Sequence, residues 1–421
     1  MSTSTTDVSQ TPVAPAARGG LGAAVGDYVS RVRGGDVGAL PAVLGLIALV
    51  VVFSALRPST FTNAFNFANL IHQAAAVIVI AMGLVFVLLL GEIDLSAGYT
   101  AGTAAAVMGI VVTQHGWPWW AAVPACVLTG ALIGACIGLL VARLGIPSFV
   151  VTLAAFLGLQ GVLLQIIGEG GTIGIRDSVL LAVNNDNLPV WLGWALFLAI
   201  VGSFALLSFR RYSTRRAGGL QTQGIAVVAT KVVTLAVLLG LTTYYLSIER
   251  SRNPTVVSIK GVPEVVLLLL VLLLALTFLL GRTAFGRHVY AVGGNTEAAR
   301  RAGLNVSRIK LTCFVISSSL AAIAGILIAS RDNSISPTTG GADTLLYSVG
   351  AAVIGGTSLF GGKGRVLDAI LGGLVIAVII NGMGLLNQKQ SVVYIVTGLV
   401  LLVAASVDAL SRRRAASTGR A

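Results

Sequence analysis

Charge is what this sequence has least of. Charged residues fill 10% of its 421 positions against 56% hydrophobic, and the mean hydropathy is +0.93. A soluble domain needs about 25% charged residues to cover its surface, so that class is excluded. Cysteine is scarce too: Cys126, Cys136 and Cys313 each fall inside an apolar run and read as small packing residues, not as ligands or disulfides. With three histidines, no metal-ligand cluster stands out and no elbow motif gathers a Ser/His/Asp set, so an integral-membrane enzyme is a poor third reading. Residues 1–39 lack an apolar stretch behind a basic start; they read as a disordered cytoplasmic tail and not as a cleavable signal.

Apolar runs are what it has instead. Twelve read as spans, at about 40–56, 69–90, 96–113, 119–142, 149–167, 189–208, 225–247, 263–280, 310–330, 343–360, 366–386 and 392–409. The fold class is therefore all-α: a polytopic membrane bundle of about 10–12 helices, with 343–360 open to a re-entrant reading. Net charge is +13, but the basic residues sit in short clusters between runs. Arg210, Arg211, Arg215 and Arg216, the segment 281–310, and the basic tail 411–421 all fall on one side if the N-terminus is inside. That bias places both termini in the cytoplasm and argues against a nucleic-acid face.

Two runs are poor lipid-facing helices. Residues 96–113 are rich in small and hydroxyl side chains, and 343–360 contains Gly350, Gly355 and Gly356 before Gly361 and Gly362. Close packing or broken backbone belongs at the centre of a bundle, whereas Val265–Leu280 and Leu44–Leu56 suit lipid. Val85–Gly98 and Val353–Lys363 also echo one another, each running from apolar residues into a glycine-rich end.

Glu92 and Asp94 stand at a membrane boundary. Asp94, followed by Leu95, Ser96 and Ala97, can cap the next helix, or it can serve as a proton relay or substrate ligand. Residues 355–364 superficially resemble a phosphate loop, but Thr357 and Gly364 stand where that motif needs Gly and Ser/Thr. No nucleotide binds there. Uncharged polar residues within the spans, Gln73, Gln160 and Asn381 among them, either bond neighbouring helices or line a path for a neutral, hydroxyl-rich solute. Lys231, mid-span, snorkels or faces a wet crevice. Between the spans 263–280 and 310–330, Asn295 reads as the N-cap and Gly303 as the stop of a helix of about two turns.

Three blocks resemble the sugar-importing ATP-binding cassette permeases of the ribose/xylose group. They are Gly91, Asp94, Leu95, Ser96 and Gly98; Phe285-Gly286-Arg287 with Ala291 through Arg300 and Ala302-Gly303; and Gly355-Gly356-Thr357-Ser358 with Gly361-Gly362 and Gly364. The long segment 169–260 makes the chain look more like the xylose type. The resemblance implies a type II-like importer permease spanning residues 40–410 of the cytoplasmic membrane, without a cofactor. Its expected partners are cytoplasmic ATPase subunits, an extracytoplasmic sugar-binding protein, a second permease copy and membrane lipid. It also implies that Gly294, Asn295, Glu297, Ala298, Ala299, Arg300 and Gly303 form the helix that couples to the ATPase. The competing reading is an ion-coupled secondary transporter with Glu92, Asp94 and Lys231 in a proton path.

Overall fold

Long apolar segments leave the backbone no hydrogen-bond partner but itself, so in a bilayer they must be helical. The computed structural model describes Gly26, residues 38–219 and residues 224–417, and among these all twelve expected runs are helices. Most of the 1–39 tail and the extreme C-terminus lie outside the described residues. The first half holds α1 (Leu40–Leu56), the one-turn α2 (Pro58–Phe61), α3 (Ala64–Leu89), α4 (Ala97–Thr113), α5 (Trp119–Ala142) and α6 (Ser148–Ile167). A two-residue strand β1 (Ile173–Gly174) and a short α7 (Ser178–Asn185) lead to the long hairpin α8 (Val190–Ala217) and α9 (Ile225–Ser247). Then come α10 (Val265–Arg282), α11 (Ala284–Gly294), α12 (Thr296–Arg301) and α13 (Val306–Asp332). β2 (Ser334–Ile335), α14 (Ala342–Gly355), α15 (Val366–Leu385) and α16 (Gln390–Ser417) complete the chain.

Nine of the described helices are long and apolar enough to cross a membrane, and α1, α4 and α14 are shorter apolar helices. The run expected at 343–360 stops at Gly355, because Gly356 adopts φ +118° and ends the helix. Helix α16 continues to Ser417, past the expected end of its span.

The core is built on α3 and α13. Of the most apolar stretch of α3, 83% is buried, with 61% for α13 and 72% for α15, against 6% for α8 and 11% for α9. Helix α13 packs on α5, α3 and α4, while α14 and α15 close the other flank of α3. Gly130, Gly134 and Gly138, one per turn of α5, bring its backbone onto Ser318, Phe314 and Leu311 of α13; a Cβ on Gly134 would lie 2.5 Å from the Phe314 oxygen. This is the small-residue seam by which membrane helices pack without a hydrophobic driving force. The small-residue helix α4 is central as expected, with Ala101, Ala104, Ala105 and Ala106 fully buried. Helices α1 and α10 expose Leu44, Val51, Leu274 and Phe278. The hairpin α8–α9 stands apart, its two members packed chiefly on each other.

Candidate functional site: a backbone junction, an exposed helix and a polar mouth

The three sequence blocks, drawn from residues 91–98, 285–303 and 355–364, meet at one end of α3. Gly362 donates its N–H to the Leu89 carbonyl at 2.9 Å. A Cβ on Gly293 would lie 1.7 Å from that same oxygen, and one on Gly361 would lie 2.8 Å from the Gly293 oxygen and 3.0 Å from the Gly91 nitrogen. The Tyr290 hydroxyl donates to the Gly364 carbonyl at 2.8 Å. Gly91, Gly361 and Gly362 all hold positive φ. Only glycine makes such a contact without strain, since it has no Cβ to collide in the left-handed region or at close approach. The two glycine-rich ends that echo each other in sequence are thus in direct contact.

From this junction projects the 281–310 segment. It holds two helices where sequence reading expected one. Helix α11 looks like a loop in sequence, yet Val289 and Val292 are fully buried and Thr283 caps it by accepting from the Gly286 N–H at 3.2 Å. Helix α12 follows, N-capped by Asn295, whose Oδ1 accepts from Ala298 N–H at 2.9 Å. Gly303 (φ +83°) closes it, donating to the Arg300 carbonyl at 3.0 Å while Leu304 N–H reaches the Ala299 carbonyl at 3.1 Å. Of the residues expected here, Ala299 is buried, whereas Gly294, Asn295, Glu297, Ala298, Arg300 and Gly303 are exposed. The Glu297–Arg300 ion pair, 2.7 Å, is wet on both sides and adds little stability.

Behind the junction, the unwound residues between α3 and α4 are pinned from two sides. Asp94 is buried and accepts from the Ser96 N–H (3.0 Å), the Ser96 hydroxyl (2.6 Å) and the Ser317 hydroxyl of α13 (2.9 Å). The cap position itself belongs to Ser96. The carboxylate closes the turn ahead of the helix and ties it to α13. Glu92 pairs with Lys310 of α13. Ile93 N–H donates to Ser148 Oγ at 3.2 Å, and its carbonyl accepts from Thr152 at 3.2 Å, both on α6. Gly98, by contrast, faces the loop before α14, where a Cβ would lie 2.4 Å from the Gly340 oxygen. Gly355 packs on Asp368 at the start of α15.

The polar residues expected along a path belong to three helices, and no hydrogen bond joins one to another. Asn381 of α15 exchanges reciprocal amide hydrogen bonds with Asn66 of α3, each 2.9 Å. Gln160 is exposed on α6. Gln73 carries a buried Oε1 without a hydrogen-bond partner.

At the opposite end of α3 lies a polar mouth that sequence reading missed. A cavity of about 290 Å³ is lined by Phe65, Asn69, His72, Asn185, Asn187, Arg250 and Arg331, with Ala68 and Ile259. Its acceptors are largely used internally. Asn187 Oδ1 accepts from Arg250 at 2.7 Å, Asn69 Oδ1 from Arg331 at 3.5 Å, and His72 Nδ1 lies 3.3 Å from Asn184 Oδ1. Arg250 also donates to the Leu246 and Gly261 carbonyls, fixing the 248–264 loop over the cavity. Among the described residues the amide nitrogens of Asn69 and Asn187 make no hydrogen bond, whereas Asn185 spends its amide nitrogen on Ser330 and Asn333, so the lining offers donors and an acceptor. The signal for it was the asparagine cluster Asn184-Asn185-Asp186-Asn187 in an otherwise apolar chain.

The family described as branched-chain amino acid transport system / permease component matches residues 66–405. The chain belongs to this permease family. The xylose transport system permease of Escherichia coli K12 is 36% identical over 382 residues, covering 88% of this chain and 92% of that protein. The corresponding permease of Haemophilus influenzae is 33% identical, covering 88% and 96%. The ribose import permease of Escherichia coli K12 is 29% identical, covering 87% and 92%. No solved structure matches. A permease of this family is a transport component and not a catalyst, and among the described residues the cavities and motifs fit that role.

Proposed function

We propose that this chain is the membrane-spanning subunit of an ATP-binding cassette importer for xylose or a related pentose. The carrying observation is the similarity, over nearly the whole chain, to permeases named for xylose, with those named for ribose at lower identity. The polar mouth adds support, because each hydroxyl of a pentose both donates and accepts and carries no charge. In this reading the mouth faces outward toward a sugar-binding protein and both termini are cytoplasmic. The exposed α12, with Gly294, Asn295, Glu297, Ala298, Arg300 and Gly303 around the buried Ala299, docks into a separate ATPase subunit. Two copies of the chain form the path, and Gln73, Gln160 and Asn381 supply its weak polar contacts. ATP-driven closure of the ATPases displaces α12 and switches the access of the cavity.

Ion coupling is the weaker reading, since Glu92 is held by Lys310 and Asp94 by two serines, leaving neither placed to shuttle protons. Reconstitution into vesicles with the ATPase and binding protein separates the two. ATP-dependent xylose uptake that needs both partners is expected, whereas uptake by the chain alone under an ion gradient would sink the importer reading.

A further inference from the structure

We propose that the cavity between α8 and α9 binds the phosphate headgroup of an anionic phospholipid. The cavity, about 320 Å³, is lined by Phe204, Ser208, Arg211, Tyr212 and Arg215 of α8 and by Val228 and Lys231 of α9. The α8 residues recur at intervals of three and four, so they form one stripe of the helix facing its partner. Three cations therefore surround one cavity. The sequence has no Asp or Glu between Asp186 and Glu249, and among the described residues no carboxylate pairs with Arg211 or Arg215. The hairpin's own sequence therefore carries no anion. A guanidinium fork matches phosphate bidentately, and basic pockets between membrane helices are suited to lipid headgroups.

Position selects a lipid over a free anion. Helix α8 begins beside the 248–264 loop, with Gly193 against Val262. At about 1.5 Å per residue, Arg211 and Arg215 lie roughly 32 and 38 Å along from Val190, just past a hydrocarbon core of about 30 Å. The cavity thus sits at the second interface. The same hairpin presents Leu206, Leu207, Val237, Leu238 and Leu241 as exposed apolar surface, which acyl chains would cover. Tyr212, roughly 33 Å along by the same measure, stands at the level where its amphipathic ring favours the headgroup region. The occupant that satisfies both halves carries a phosphate and acyl chains.

The test uses the full-length chain in detergent, offered equal amounts of phosphatidylglycerol and phosphatidylcholine with matched acyl chains, and counts retained lipids by native mass spectrometry. Wild type is expected to prefer phosphatidylglycerol, and Arg211→Gln/Arg215→Gln to lose that preference about tenfold or more. The charge-matched control Arg300→Gln/Arg301→Gln should keep it. Equal loss in the control would mean bulk electrostatics and overturn the site, as would the absence of any preference in wild type. Displacement of the lipid by inorganic phosphate alone would assign a free-anion site and overturn the lipid. Should the glutamine variant fail to fold, Arg211→Lys/Arg215→Lys keeps the charge while losing the fork. Partial loss of preference there supports the site, and undiminished preference overturns it.

Discussion

At Gly293 a methyl group has nowhere to go. Its Cβ would fall 1.7 Å from a backbone oxygen of Leu89, whereas at the neighbouring Gly294 nothing lies within 4 Å. Gly293→Ala should therefore destabilise by about 1–3 kcal/mol through forced backbone shifts, and Gly294→Ala should be close to neutral; thermal unfolding in detergent distinguishes them. Asp94 makes a subtler case. Asn keeps an acceptor for Ser96, and the Ser317 hydroxyl can switch from donor to acceptor, so Asp94→Asn should retain both melting temperature and uptake. Asp94→Ala should lower the melting temperature, since it strands two buried hydroxyls at about 1–3 kcal/mol each. An Asp94→Asn variant that packs normally but transports nothing would show that the carboxylate acts in transport. Asn381→Leu leaves the Asn66 amide short of its partner and should cost about 1–3 kcal/mol. Adding Asn66→Leu should recover part of that loss, and the double-mutant cycle reads the coupling.

Among the elements, α12 is the most exposed to test. Gly303→Pro removes the N–H that reaches the Arg300 carbonyl and demands φ near −65° where the chain holds +83°. Glu297→Arg changes only an exposed charge. Both should insert normally yet uncouple ATP hydrolysis from uptake in the reconstituted complex; normal transport by either well-expressed variant would remove the coupling role. The existence of the twelve apolar helices was readable because length and hydrophobicity alone decide them in a bilayer. Asn295 and Gly303 were readable because capping is local. Helix α11 was not, since Gly286, Gly293 and Gly294 give it poor intrinsic propensity and its stability comes from packing Val289 and Val292. The Asn66–Asn381 pair and the mouth were equally hidden. Their partners lie far apart in sequence, and polar residues inside an apolar run announce a hydrogen bond without saying to whom.

At the scale of the whole molecule, the mouth end depends on a loop and the junction end on backbone. Glu249 accepts hydrogen bonds from the Ser251 N–H, the Ser258 hydroxyl and the Ile259 and Arg250 N–H groups, which hold its carboxyl down from an ordinary 4.5 to about 2. Because the folded value lies below the unfolded one, its contribution to loop order is full above about 4.5 and disappears as pH falls through about 2. Protease sensitivity of the 248–264 loop should rise across that window, and Glu249→Gln should be sensitive already at neutral pH with a flatter profile. The junction obeys a different clock. Its members come from the early, middle and late parts of the chain, and the hydrogen bond that closes it is donated by Gly362. While the protein is being made, the Leu89 carbonyl must wait for most of the chain to leave the ribosome, and water or lipid headgroups have to serve it meanwhile. A chain halted before Gly362 would hold most of its helices inserted in the bilayer while the platform beneath α11 and α12 was still unbuilt, so the surface proposed to meet the ATPase matures only after its own helices have long been made.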